Sequence, residues 1–402
     1  MSAFRIGFLP LVDAVLPILA HELGLAKAEG LELALVRDPS WATVRDRLIY
    51  GQTDAAHLLA PLAIATSLGL DRPAVPLAAP FMLGLNGNAV TVTPEIAAQL
   101  GEDPVWDATR TGHRLAAVAR ERAAAGRKLR LAVVHRYSSH NYMLRYWLAA
   151  SGCDVERDVE IVVVPPPFVA EALQSGEIDG SCVGEPWNSV AVERGVGVIV
   201  AATARIWSRG VEKLLAMRTA TLGERAEEVA MLLRALNKAG EIAADPARRG
   251  EVAALLARPE YCDQPAALIE RALGDRMVLL PGGPAEPVDD FLVLHREAAN
   301  FPWRSQAMWL YTQMVRWGHA SADLRDLGRA AAVFRPDVYR AVLSGTGAVI
   351  PSASEKVEGA ISVPTGAGSV TGRLILGPDR FFDGRRFDPD DVESYLEAML
   401  SK

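Results

Sequence analysis

The stretch RGVEKLLAMRT, Arg209 to Thr219, places one cation inside an apolar run. Val211, Leu214, Leu215 and Met217 read as a short buried strand, and Lys213 lies within it. A lysine is rarely buried without a partner, so a negative charge must meet it. That charge is either a carboxylate of the chain or an anionic ligand. Glu212 is the adjacent acid, but strand alternation sends it to the opposite face, which predicts that it does not neutralise Lys213.

Other residues could complete a ligand site. Trp41 follows RDPS and opens a helix. Its indole N–H can donate one hydrogen bond while the ring walls a pocket, or the ring can simply pack. In YSSHN, Tyr137 to Asn141, Ser138 or Ser139 is an N-cap between an apolar strand and an amphipathic helix. Such a helix start either binds an anion or serves only as a cap. His57 and His140 have no carboxylate at catalytic or metal-ligand spacing, and His57 is expected to be a satisfied core histidine. Glu185, in GEPWN, could act in catalysis or bond backbone at the lobe turn, the structural role being favoured, and with His57 and His140 it is a candidate cleft residue. Gly-x-Ser-x-Gly, paired-cysteine and His-Glu-x-x-His patterns do not occur. No catalytic residue, metal or cofactor is therefore expected. GAGSVTG lacks the Lys-Ser/Thr ending of a phosphate loop, and a nucleotide site is not expected there.

The elements that must position these residues alternate. FRIGFLP reads as a strand, and Asp13 as the start of the helix AVLPILAHELGLAKAEG. LELALVRD, WATVRDRLIYGQ, TDAAHLLA and PLAIATSLGL continue as strand, helix, strand, helix. A second α/β unit begins at LRLAVVHRYSSHNYMLRYWLAASG. Such alternation predicts mainly parallel sheets with flanking helices. YGQTDAAHLLAP and QSGEIDGSCVGEPW share one plan: helix end, Gly, Asp, then a short strand running into Pro. Ends of strands in such sheets face the crevice, so the two phrases predict two lobes closing over one small ligand. Beyond Lys213 the chain is expected to be helical from about Glu224 to Arg258, with a further helix at WRSQAMWLYTQMVRWGH. Residues 345–372, rich in Gly, Ser, Ala and Pro, are expected to form loop.

A chain of 402 residues exceeds one ordinary core, and 50% hydrophobic with 23% charged residues is a globular balance. The formal net charge of −7 argues against direct nucleic-acid binding. Cys153, Cys182 and Cys262 are few and widely spaced, which suggests a reducing compartment and offers no zinc pattern. MSAFRIGFLPLVDAVLPILA has no basic region followed by an apolar leader, and no run reaches the roughly 18 apolar residues that span a membrane. A cytoplasmic location without membrane association is expected.

Taken together, SWATVRDRLIYGQTDAAHLLAP, RYWLAASG, VGEPWNS, VEKLLAMR, MWLYTQMVRWG, VFRPDVYR and FFDGRRFDP carry a family resemblance over nearly the whole chain. The sequence resembles the nitrate-binding proteins of the nitrate/bicarbonate ABC-transporter class. The resemblance implies a two-lobed periplasmic-binding-protein-like (type II) α/β fold with its ligand cleft between the lobes. With the pattern, it places lobe 1 at 1–85 plus 210–402, including a C-terminal extension, and lobe 2 at 86–209. It also implies that Lys213 neutralises nitrate, that Trp41 lines the pocket, and that Asn88 supplies a side-chain amide. Ser138 marks the backbone contact at a strand-to-helix turn. Two positions depart from the transport proteins, which carry glutamine for Asn88 and a glycine-rich turn near Ser138. Bicarbonate-binding relatives are expected to carry a glutamate where this chain has Lys213. Without an export leader, the expectation narrows to the cytoplasmic nitrate/nitrite sensors. These are implied to hold an ANTAR-type RNA-binding antiterminator protein when ligand-free and to release it on binding nitrate or nitrite. The alternatives are an exported transporter subunit and, further off, an enzyme on the same fold.

Overall fold

Short β-rich runs bounded by Gly, Asp and Pro give ten strands that build the two main sheets. They are β1 (Phe4–Phe8), β2 (Leu33–Arg37), β3 (Ala55–Leu59), β4 (Leu77–Met82) and β5 (Asn88–Val92). There follow β6 (Leu129–Val133), β7 (Val159–Val163), β8 (Gly180–Gly184), β9 (Val198–Ala202) and β10 (Lys213–Arg218). The computed structural model describes residues 3–101 and 107–400. Its first five-stranded sheet has the order β2-β1-β3-β10-β4, and its second the order β9-β5-β8-β6-β7.

In each sheet four strands share a direction and one opposes them. β10 runs antiparallel to β3 and β4, and β5 runs antiparallel to β8 and β9. The opposed strands are those that carry the chain between lobes: β5 enters the second lobe and β10 returns from it. The two crossings lie side by side. Asn86 N–H donates to the Gly210 carbonyl at 2.9 Å, and Gly210 N–H donates to Asn86 Oδ1 at 2.9 Å. Asn86 adopts φ +62°, a left-handed conformation that asparagine tolerates better than most residues. Its side-chain amide also holds the Ser208 and Asp290 carbonyls.

Helices cover the sheets: α1 (Val15–Glu22), α2 (Trp41–Ile49), α3 (Ala60–Leu68), α4 (Ser139–Ala150), α5 (Ala226–Ala243) and α6 (Arg304–Arg316). The helical run expected from Glu224 to Arg258 is divided after α5, where Asp245 and Pro246 begin a new turn leading to a helix at Arg249–Leu256. Proline cannot donate the backbone hydrogen bond that continuity needs. Residues 345–372 are not all loop. Ile350–Pro351 pairs with Ser369–Thr371, and Thr365–Ala367 pairs with Leu374–Leu376. One partner strand lies beyond the Gly-rich window, which is why composition concealed the ladder.

The C-terminal part of the chain touches both lobes. Trp309 of α6 meets Tyr146 of α4 edge-on with centroids 5.8 Å apart, and packs on Trp207 and Phe381. Tyr146 donates its hydroxyl to Asp383 at 2.8 Å, and Trp309 Nε1 donates to the Tyr395 hydroxyl at 3.0 Å. Truncating such a buried aromatic removes its area and leaves a cavity. Trp309→Ala is expected to lower stability by about 3–5 kcal/mol in urea unfolding.

Candidate functional site

The site is built where the end of β3, the start of β10 and the starts of α2 and α4 converge. Ser40 caps α2 by accepting from Thr43 N–H at 3.2 Å, which sets Trp41 at the first helical position. Ser138 caps α4 in the same way, accepting from Asn141 N–H at 3.0 Å, and sets Ser139 first and His140 second. Lys213 opens β10 opposite Leu59, the last residue of β3.

Lys213 is wholly buried, with two carboxylates as partners. Its Nζ lies 2.8 Å from Asp13 Oδ2 and donates to Glu212 Oε1 at 2.6 Å. The expectation that Glu212 points away is therefore corrected. β10 begins at Lys213, so Glu212 stands outside the strand, and alternation does not extend across that start. Asp13 also departs from its expected role. The cap positions are Leu11 for the turn Val12–Ala14 and Ala14 for α1, while Asp13 lies within the turn with its carboxylate held by Lys213 and His57.

His57 Nε2 donates to Asp13 Oδ1 at 2.9 Å, which leaves Nδ1 unpartnered. Its ring lies 5.2 Å from that of Trp41, and Lys213 Nζ stands 5.7 Å from the Trp41 ring centroid. His140 Nδ1 is 3.5 Å from Glu212 Oε1, and neither ring nitrogen makes a hydrogen bond. Both histidines thus have a carboxylate neighbour that linear spacing concealed. Trp41 Nε1 and Asn88 Oδ1 are buried without partners. Ser139 Oγ lies close enough to Glu212 to favour its ionised form, but makes no hydrogen bond of full geometry.

The electrostatics follow from burial opposed by pairing. Burial disfavours ionisation of Asp13, but Lys213 and His57 outweigh it and hold the carboxyl well below the usual range. Glu212 is likewise held low against burial by Lys213 and His140. Burial would lower Lys213, but the two carboxylates raise it. His140 is pushed down to about 4, chiefly by burial, and is neutral at pH 7. Among Lys213, Asp13 and Glu212 alone, one ammonium stands against two carboxylates.

The second lobe closes over this cluster. Val12 N–H donates to the Glu185 carbonyl at 2.9 Å, and Trp187 Nε1 donates to the Pro10 carbonyl at 3.0 Å. A Cβ at Gly184 would stand 3.2 Å from Asn88 Oδ1 and 3.8 Å from Asp13 Oδ2, so this wall of the cleft comes close because residue 184 has no side chain. Lys213, Trp41, His57, Ser139 and His140 are thus brought together, with Asn88 at the edge. The Ser138 hydroxyl donates to the His135 carbonyl at 2.7 Å and caps α4, so its side chain is committed locally. Glu185 contributes its backbone to the lobe contact, and its side chain accepts from Ser189 N–H at 3.3 Å. Burial raises its carboxyl to about 7. Sequence reasoning missed Asp13 and Glu212. The signal for Asp13 was present: an acid between LPLV and AVLP is as anomalous as Lys213.

Two lobes meeting over a buried, partly unpartnered polar cluster define a substrate-binding-protein architecture. The NMT1-like family profile matches residues 1–257, and the chain belongs to that family. The nitrate/nitrite binding protein NrtA of Synechococcus elongatus is 29% identical over 414 residues, covering 100% of this chain and 87% of that one. The nitrate import ATP-binding protein NrtC of Synechocystis sp. is 31% identical over 83% of this chain, which spans 49% of that relative's length. The crystal structure of the periplasmic nitrate-binding protein NrtA from Synechocystis PCC 6803 shares the fold. It matches at TM-score 0.86 and 23% identity, over 99% of this chain and 98% of that one.

Two outcomes test this geometry. Lys213→Met leaves two buried carboxylates uncompensated and is expected to cost about 3–5 kcal/mol at pH 7, part of which Glu212→Gln restores in the double variant, as chemical unfolding would measure. Glu185 binds its proton more tightly folded than unfolded, so its contribution falls as pH rises from about 4.5 to about 7. Glu185→Gln is therefore expected to gain stability over the parent across that window, by about 3 kcal/mol above it, in unfolding curves at pH 4.5 and 8.

Proposed function

We propose that the protein binds a small planar oxyanion, nitrate or nitrite, between its lobes. The observation that carries this is Lys213 itself: its ammonium donates to Glu212 and is ion-paired with Asp13, and unpartnered Trp41 Nε1 stands in the same cluster. Nitrate only accepts hydrogen bonds, and Lys213, Trp41 and Ser139 can all donate. The N-termini of α2 and α4, which bring Trp41 and Ser139 into the cluster, add favourable partial positive charge. The relatives' nitrate-binding names support the same reading.

A second ligand is favoured by one specific observation. Asp13 and Glu212 are acceptors, and bicarbonate carries an O–H that could meet one of them. Against it stands Lys213, where bicarbonate-binding relatives are expected to carry glutamate.

The finer reading is regulatory. The protein serves as a cytoplasmic sensor that holds an ANTAR-type RNA-binding antiterminator when ligand-free and releases it when the anion is bound. The family resemblance supports this, and the lobe contacts supply a device, since a ligand that prefers one lobe arrangement shifts the population towards it. Linkage makes the effect reciprocal: if anion weakens partner binding, partner weakens anion binding equally. An exported transporter subunit shares the pocket and is supported by NrtA, whose crystal structure is described as periplasmic. An enzyme is the least supported reading. Cys182 lies beside Glu212 with its thiol pushed well up by burial, and neither ring nitrogen of His140 is hydrogen-bonded to a nucleophile. Among the described residues no helix is long and apolar enough to cross a membrane, and no cluster of His, Cys, Asp or Glu could hold a metal ion.

A thermal-melt titration with nitrate, nitrite, bicarbonate, sulfate and chloride tests the ligand. Nitrate or nitrite is expected to raise the melting temperature with saturation. A shift with bicarbonate alone would favour the second ligand, and no shift with any of the anions would reduce Lys213 to a structural ion pair.

A further inference from the structure

We infer that the anion enters the cleft together with one proton, which is taken up by His140. This rests on the reading that the anion binds at Lys213 and names what that binding requires. Lys213, the ammonium of this cluster, is already matched by two carboxylates, Asp13 and Glu212. An uncompensated negative charge in a site excluded from water is strongly opposed. One proton offsets the negative charge that the anion brings.

The geometry selects where that proton goes. Asp13 and Glu212 are both held ionised by Lys213. His140 is buried at the start of α4, with both ring nitrogens unpartnered and Nδ1 3.5 Å from Glu212 Oε1. Glu212 and Lys213 face it from the start of β10, and Asp13 faces it from the turn before α1. Cys182 of β8 faces Glu212, and His57 of β3 holds the other oxygen of Asp13. Protonated, the imidazole would have two N–H donors, one able to reach Glu212 and the other left for an acceptor-only ligand. His57 has one free ring nitrogen, Nδ1, because its Nε2–H is committed to Asp13, whereas both ring nitrogens of His140 are free.

The sign follows from linkage. Burial keeps His140 neutral above about 4 beside Glu212 and Lys213. An adjacent anion raises that value, so between the two values each anion bound takes up one proton. Affinity then falls as pH rises, by about tenfold per unit where uptake is complete.

Calorimetry of the full chain with sodium nitrate, in two chloride-free buffers of unlike ionisation heat, reads the proton directly. Uptake near one proton per nitrate is expected at the pH where affinity falls steeply between 6 and 8. His140→Asn is expected to bind nitrate more weakly with the pH slope lost. Nitrate binding with no proton uptake and flat affinity over that range would overturn the inference. So would uptake that persists unchanged in His140→Asn. Failure to bind nitrate at any pH would remove the underlying ligand reading itself, a separate result from binding without a proton.

Discussion

A buried ammonium between two carboxylates is the constraint on which the rest depends. Lys213 cannot be desolvated alone, and Asp13 and Glu212 cannot be buried together without it. All three belong to the first lobe, so that lobe holds the formal charge of the cleft. The second lobe supplies the cover: Ser139, His140, Asn88, Cys182 and Gly184 are uncharged in this arrangement and exclude water from the ions. Closing the lobes therefore strengthens every interaction in the cluster while removing its hydration. A ligand that changes the cluster's charge or its hydrogen bonding changes the balance between open and closed forms. Such differential affinity is what a binding protein needs, whether its closure is read by a transporter or by a regulatory partner.

The fold confines that motion. The paired crossings around Asn86 and Gly210 hold the lobes side by side near the site. The C-terminal part adds a restraint on another face, where Trp309, Phe381 and Asp383 grip Tyr146 of the second lobe. Tyr142 of the same helix donates its hydroxyl to, or accepts from, His319 Nδ1 at 2.9 Å, just past the end of α6. The helix that carries Ser139 and His140 into the cleft is thus also the helix held by the C-terminal part. Changes at its first turn are mechanically connected to the surface formed by residues after 300.

Much of this was legible in the sequence, for local reasons. Strands, helix caps and the two Gly-Asp-strand-Pro phrases follow from periodicity and turn chemistry, which act over a few residues. Trp41 and Lys213 stood out by type and setting. What stayed hidden was long-range or at a boundary. Asp13 meets a lysine two hundred positions away only because β1, β3 and β10 are neighbours in one sheet. Glu212 was misassigned because alternation was carried one residue past the start of β10. His57 and His140 looked isolated because their carboxylates are distant in sequence. The Ser138 cap was legible from type and position, and its hydroxyl joins the preceding turn at His135 to the first turn of α4.

The central claim is that an anion meets Lys213 in this interlobe cluster. The most direct test is a crystal structure of the full chain grown with nitrate near pH 6. The account predicts planar density within hydrogen-bond distance of Lys213 Nζ, with Trp41 Nε1 donating to the same ligand. Lys213 still paired only with Asp13 and Glu212, and nitrate absent from the cleft or bound elsewhere, would contradict it.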